Sequence, residues 1–191
     1  MGRTDEELMA AFRGGDRDAF EELFDRHHAK VVRFASRMTG DPGRGEEAAQ
    51  EIFLRIARAA ATWEPTARFT TWMYTVARRT TLNFLRDEKD GAPTVPIPVG
   101  EDDGEGVPLQ LAGPPSFEPE RIVANLQLRG RLHAALGALP EGYRSAFLLA
   151  AGEGLPYQEI AEILGITVQA VKSRVFRARE MLAKRLSGDE P

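Results

Sequence analysis

The stretch from Asp87 to Glu118 reads DEKDGAPTVPIPVGEDDGEGVPLQLAGPPSFE, and it limits the possible folds more than any other part of the chain. Each proline removes a backbone donor and fixes φ, each glycine carries a large entropy cost on ordering, and the acids repel one another. Neither a helix nor a core layer can be built from such a segment. It reads as an extended, flexible, solvated linker. Val95, Ile97, Leu109 and Leu111 are among its few apolar residues, and the alternative is that they dock on a partner. The chain must therefore fold as two blocks, one on either side.

Charge follows the same division. The net charge of −4 over 191 residues conceals +1 for Met1–Arg86, −8 for Asp87–Glu120 and +3 for Arg121–Pro191. The acidity lies in the linker, so the overall sign is no argument against an anionic partner for the flanks, where the local field decides. The absence of cysteine excludes a disulfide framework, a thiolate metal site and a cysteine nucleophile. No apolar run is long enough to span a bilayer and no signal peptide is visible, so a cytoplasmic protein without direct membrane insertion is expected.

Both blocks carry helical periodicity and neither alternates like a strand. The expected fold class is all-α: two small helical domains, 1–87 and 119–187, joined by the linker 88–118. In the first block a short helix, Asp5–Phe12, precedes three long ones. Asp16 caps a helix in which Phe20, Leu23, Phe24, His27, Val31, Phe34 and Met38 share a face, and Gly40 ends it. Asp41-Pro42 starts a second that runs to about Thr62. Pro65 interrupts, and a third runs from about Phe69 to Arg86. The second block offers Glu120–Leu136, Glu141–Ala150, Tyr157–Leu164 and Val168–Leu186.

The last two of these form a helix-turn-helix pattern. Tyr157–Leu164 turns Ile160, Ala161 and Leu164 inward, Gly165 supplies the left-handed turn, and Thr167 caps the next helix. There Val168, Val171, Val175, Ala178 and Leu182 form the inner stripe. At 100° per residue Gln169, Ser173, Arg174 and Arg177 point outward, and Ala170 leaves room for close approach. A polar, basic face at a helix N-terminus suits the base edges and phosphates of a major groove. Lys172, Arg179, Lys184 and Arg185 flank it as phosphate contacts. The competing account is a solvated helix whose charges only keep the protein soluble.

Two further segments decide among helix-turn-helix proteins. EEAAQEIFLRIARA followed by FTTWMYTVARRTTLNFLRD resembles region 2 of bacterial RNA polymerase sigma factors, and LPEGYRSAFLLAAGEGLPYQEIAEILGITVQAVKSRVFRARE resembles region 4. With these two regions and a linker alone, the chain resembles the extracytoplasmic-function (ECF) group. That resemblance implies binding to core RNA polymerase, recognition of minus-thirty-five and minus-ten promoter elements, and melting of the latter. It also implies an anti-sigma factor as a partner, which could hold the protein at the membrane.

Residue by residue, the resemblance places the polymerase contact on Glu47, Gln50, Glu51, Leu54 and Arg58, the outer face of the second long helix. A leucine ringed by charged and amide groups has the anatomy of an interface anchor with a polar rim, although exposed leucines are also common. It places minus-thirty-five contacts on Thr167, Gln169, Ala170, Lys172, Ser173, Arg174 and Arg177. Minus-ten contacts fall on Thr71, Tyr74, Thr75, Arg78, Arg79 and Arg86 of the third long helix, read as its outer face together with Leu82. Hydroxyls, an aromatic ring and arginines suit single-stranded DNA by stacking and phosphate contact. Phe69, Trp72, Met73, Val76, Thr80 and Phe84 are read as the inner face, which makes Trp72 a core residue. Glu64, Thr66 and Arg68, in the loop Thr62–Phe69, would line the pocket for a flipped base. Arg79 stands where the family usually has asparagine, and Arg174 where many such units place an apolar residue.

No enzyme is expected. His27 and His28 lack a third ligand at suitable spacing and read as packed or surface histidines. GDPGRGEE has glycines without the spacing or lysine of a phosphate loop. No metal, cofactor or small-molecule substrate is expected. The alternative function is a stand-alone helix-turn-helix regulator that binds an operator without polymerase.

Overall fold

The computed structural model describes residues 2–87 and 130–187, and every regular element among them is helical. The acidic linker, with Val95, Ile97, Leu109 and Leu111, and the start of the expected helix at Glu120 lie outside the described residues. The chain divides into two compact units.

The N-terminal unit holds α1 (Asp5–Arg13), α2 (Arg17–Thr39), α3 (Pro42–Ala59) and α4 (Phe69–Asp87). Local chemistry sets their ends. Thr4 and Glu7 close a capping box on α1, in which the Glu7 amide donates to Thr4 Oγ1 and the Thr4 amide to Glu7 Oε2. Asp16 accepts from the Ala19 amide at the start of α2 and also binds Arg3 at 2.9 Å, and this bonding holds its carboxyl below the usual range. Gly40, at φ +77°, ends α2 with its amide on the Ser36 carbonyl. Asp41 caps α3 and Pro42 occupies its first turn. A 3₁₀ turn, Ala60–Thr62, continues α3 toward the loop before α4.

Aromatic contacts join these helices. Phe12 of α1 stacks on Phe20 of α2 at 4.6 Å, Phe24 of α2 meets Phe53 of α3 at 4.7 Å, and Phe34 meets Tyr74 of α4 edge-on at 5.5 Å. The expected stripe on α2 is buried at Leu23, His27, Val31, Phe34 and Met38, while Phe20 and Phe24 are half-buried. On α3, Ala49, Ile52, Phe53 and Ile56 are buried, and so is Ala60 just beyond it.

The remainder of the described residues comprises the helix 130–137 (α5), α6 (Glu141–Phe147), α7 (Tyr157–Leu164) and α8 (Val168–Ser187). The C-terminal unit takes α5, α6, α8 and the greater part of α7. Helix α6 runs on into a π-helical turn, Leu148–Gly152, whose wider i→i+5 bonding unwinds the helix before Gly154. Arg144 is almost wholly buried, with its guanidinium donating to the carbonyls of Gly137, the last residue of α5, and of Leu139 just beyond it. Burial pushes its pKa down from the usual arginine value.

One glycine governs the pairing of α2 and α3. A β-carbon on Gly45 would lie 2.5 Å from the Ser36 Cα and backbone nitrogen and closer still to its side-chain oxygen. In an open helix Gly→Ala stabilises by about 1 kcal/mol. Here the methyl meets backbone that cannot swing aside, so Gly45→Ala should instead destabilise by about 1–3 kcal/mol. Urea denaturation of the full chain checks the sign. A rise in midpoint would mean that the two helices separate without cost.

Candidate nucleic-acid interface

The turn between α7 and α8 is built by its backbone. Gly165 has φ +65°, the Ile166 amide reaches the Ala161 carbonyl at 3.1 Å, and the Gly165 amide reaches Glu162 at 3.3 Å. This pair of bonds is a Schellman stop. Two residues later Thr167 Oγ1 accepts from the Ala170 amide at 3.1 Å and starts α8. Val171, Val175, Ala178 and Leu182 are buried along one side of α8, as expected, while Val168 is half-buried. Opposite them Gln169, Lys172 and Arg177 are exposed, and Ala170, Ser173 and Arg174 are half-buried. Arg177 lies 3.0 Å from Glu180 one turn on.

On α3 the polar face is open. Glu47, Gln50, Leu54 and Arg58 are exposed, with Leu54 at 51%. Glu51 is half-buried and accepts from Arg55 at 2.7 Å.

Helix α4 departs from the sequence reading. Thr71, Tyr74 and Leu82, expected on the outer face, are buried, with Tyr74 only 2% exposed behind Phe34. Trp72, Val76 and Phe84, expected inside, are half-buried. Trp72 leans on Trp63 at 6.3 Å and Phe69 at 5.9 Å with part of its ring in solvent. The reason is that α4 packs against α1, α2 and α3 together, so more than half its circumference is covered. Its threonines fit such a position because their hydroxyls can bond the preceding turn, as Thr75 does to Thr71 and Thr81 to Ala77. The open strip is Arg79, Asn83 and Arg86, bordered by Trp72, Thr75 and Val76. Arg78 is half-buried beside it.

Before α4 lies the loop. Trp63 is buried and extended, and Glu64, Pro65, Thr66, Ala67 and Arg68 are all exposed. His27 is buried with Nε2 2.7 Å from Asp5, and His28 is 3.4 Å from Glu46. No group of three or more metal-ligating side chains occurs among the described residues.

The comparisons with known proteins agree on one family. The family model "Sigma-70 region 2" matches residues 23–90, and "Sigma-70, region 4" matches 129–182. The chain is 30% identical over 182 residues to the RNA polymerase sigma-H factor of Pseudomonas aeruginosa, covering 95% of this chain and 93% of that one. It is 32% identical over 174 residues to the ECF RNA polymerase sigma factor SigW of Bacillus subtilis, covering 90% and 91%. To the ECF RNA polymerase sigma-E factor of Escherichia coli it is 32% identical over 179 residues, covering 94% and 92%. The chain belongs to the ECF sigma factors.

Solved structures share the fold of this sigma factor. CnrH, in complex with the cytosolic domain of CnrY, superposes with a TM-score of 0.69 at 24% identity, covering 97% of this chain and 99% of that one. The sigma factor RpoE of Bartonella quintana, in complex with the anti-sigma factor NepR, gives 0.64 at 21%, covering 90% and 98%. As an ECF sigma factor the protein directs RNA polymerase to specific promoters to initiate transcription, which excludes the stand-alone regulator.

Three exposed residues on this sigma factor's faces were missed by the sequence reading. Asn83 continues the open strip of α4, Arg55 sits beside Leu54, and Phe176 stands 38% exposed next to Arg177. Helical spacing would have found Asn83 had the strip been centred on Arg79, since 79, 83 and 86 recur at i, i+4 and i+7. Phe176 offers an apolar surface of the kind that meets a thymine methyl.

The new placement of Tyr74 has a direct consequence for this sigma factor. Tyr74→Ala should lower the free energy of unfolding by about 3–5 kcal/mol, because it empties a packed aromatic site. Arg79→Ala, in solvent, should change it by less than about 0.5 kcal/mol. Equal stability of both variants in a urea titration would return Tyr74 to the surface.

Proposed function

We propose that this sigma factor divides promoter recognition among three faces, with working domains 1–87 and 119–187 and the spacer 88–118 between them. The observation that carries this reading is the pairing, within one chain, of a capped basic helix-turn-helix with an open basic strip on α4 beside an exposed loop. The outer face of α3, with Leu54 as anchor and Glu47, Gln50, Glu51, Arg55 and Arg58 around it, takes core polymerase. Helix α8 enters the major groove of the minus-thirty-five element through Gln169, Ser173 and Arg177, with Lys172 and Arg174 on phosphate. Thr167 and Ala170 bring the helix N-terminus close to the backbone. The minus-ten strand runs along Thr75, Arg78, Arg79, Asn83 and Arg86, with Trp72 as the stacking surface. Thr71 and Tyr74 support that strip from beneath. Glu64, Thr66 and Arg68 receive a base flipped out of the duplex.

In this reading the protein is no enzyme and needs no cofactor, since melting is driven by binding. The work is done in the cytoplasm, where an anti-sigma factor covers one or both domains until a signal arrives. The two solved relatives bound to CnrY and NepR motivate that partner. Run-off transcription with core polymerase tests the whole. A promoter-dependent transcript that requires both components is expected, whereas an operator footprint by the sigma factor alone would overturn it.

Arg177→Ala should cost about 1–3 kcal/mol on the cognate upstream element and relax its preference. Lys184→Ala, too far along α8 for base edges, should weaken all sequences alike and flatten the salt dependence. Competition binding with cognate and scrambled upstream elements separates the two, and equal losses for Arg177→Ala would remove it from base reading.

Replacing Glu64–Arg68 with a Gly/Ser loop of equal length should leave core binding and the closed complex intact. Opening of a duplex promoter should fail, and a pre-melted bubble should restore much of the activity, because unstacking a base costs a few kcal/mol that pocket contacts must offset. A fluorescent base analogue in the non-template strand reports the flip. Normal opening by the swapped protein would reduce the loop to a connector.

A further inference from the structure

The residue just before helix α4 offers no side-chain acceptor for its first amides. The first amides of any helix lack intrahelical acceptors, and a Ser, Thr, Asp or Asn just before the helix normally supplies one. That position here is Arg68, whose side chain has donors only. The acceptor comes from α1 instead: Glu6 Oε1 takes the Phe69 amide at 2.8 Å, across 63 residues of sequence. Further along α1, Arg13 Nη1 donates to the Trp63 carbonyl at 3.1 Å, 50 residues away. Positions 6 and 13 are two helical turns apart, so both side chains leave one face of α1, about 10 Å apart along it. The two bonds grip the chain immediately before and immediately after the exposed loop Glu64–Arg68.

Helix α1 is itself fixed firmly enough to act as a support. Leu8 and Met9 are fully buried. Its Asp5 carboxylate lies 3.0 Å from Arg26 Nη1 and 2.7 Å from His27 Nε2, both on α2. A helix of this length would not persist alone, so its docking and its shape come together. Within the loop, the Thr66 amide bonds the Glu64 carbonyl at 2.8 Å. That contact spans two residues and cannot set the distance between the loop's ends.

We propose that α1 braces the strand-reading loop, with Glu6 and Arg13 as positioning residues that hold its two ends without touching DNA. The inference rests on the assignment of Thr62–Phe69 to the flipped base. A pocket that must be ordered at the moment of capture loses part of its binding energy to that ordering, and a braced one does not. The carboxylate at the start of α4 also complements the helix dipole, so it holds the first turn in place as well as the loop.

The test uses holoenzyme, assembled from core polymerase and each variant, titrated with a fluorescent single-stranded oligonucleotide of the non-template minus-ten sequence. Glu6→Ala and Arg13→Ala should each weaken capture about 3–10-fold, with core affinity unchanged. Glu6→Gln, whose amide oxygen still accepts from Phe69, should stay within about twofold of the parent. In the loop-swapped background Glu6→Ala should cause no further loss, because its effect passes through the loop. An additive loss there would mean that α1 acts through overall stability, and the brace would be wrong. Amide exchange over residues 62–69 in the free protein is a measurement independent of DNA. Exchange should quicken in both alanine variants and not in Glu6→Gln, and unchanged exchange in both alanine variants overturns the proposal. Parental capture by the alanine variants, alongside a loop swap that does impair capture, removes the brace and leaves the loop assignment standing. Parental capture by the loop swap removes the assignment and the brace with it.

Discussion

Where α2 and α3 cross there is no room for a side chain, and the N-terminal unit is organised around that approach. Gly45 rests against the backbone of Ser36, whose carbonyl also takes the Gly40 amide that ends α2. The chain therefore stops, reverses through Thr39–Pro42 and re-enters the same contact within one tight turn. From there Arg44 Nη2 reaches the Phe84 carbonyl at 2.9 Å and ties the start of α3 to the last turns of α4. Exposed Leu54 lies on the opposite side of α3, away from Ala49, Ile52 and Ile56. The face proposed to take core polymerase is thus carried by a helix whose other side is fixed by backbone contact, so presenting it would cost little further ordering.

Much of this was legible in the sequence because it is local. Asp16, Asp41 and Thr167 announce helix starts, Gly40 and Gly165 announce stops, and each requires only neighbours within a few residues. The amphipathic stripes of α2, α3 and α8 were legible because one side of each is covered and the other is wet. Helix α4 was not, and the cause is geometric. A periodicity argument assumes one wide exposed side, and α4 leaves only Arg79, Asn83 and Arg86 exposed among its described residues. Thr71, Tyr74 and Thr81 look polar in a string of letters but bury readily, since a threonine hydroxyl can be satisfied by its own helix and a tyrosine ring packs edge-on. The family resemblance pointed to this segment, while the choice of outward residues depended on packing it could not supply. Glu6 and Arg13 were silent for another reason: their partners are 63 and 50 residues away.

The division of labour on α8 is an energetic one. Its buried side carries the stability, through Val171, Val175, Ala178 and Leu182. Its open side contributes little, so the residues proposed to read DNA can change without unfolding the domain. Arg177 illustrates the scale. Its ion pair with Glu180 is about half exposed on both partners, and such pairs contribute about 0–1 kcal/mol. A bidentate contact to a guanine is worth about 1–3 kcal/mol. On the proposed assignment of Arg177 to a base edge, such a contact outcompetes Glu180. Where the right base is absent, the charge of Glu180 would oppose the phosphates that Arg177 could otherwise bind on any sequence. A neighbouring carboxylate that weakens indiscriminate phosphate binding more than it weakens base contact raises the ratio between the two. That ratio, rather than raw affinity, is what a promoter-reading helix has to maximise.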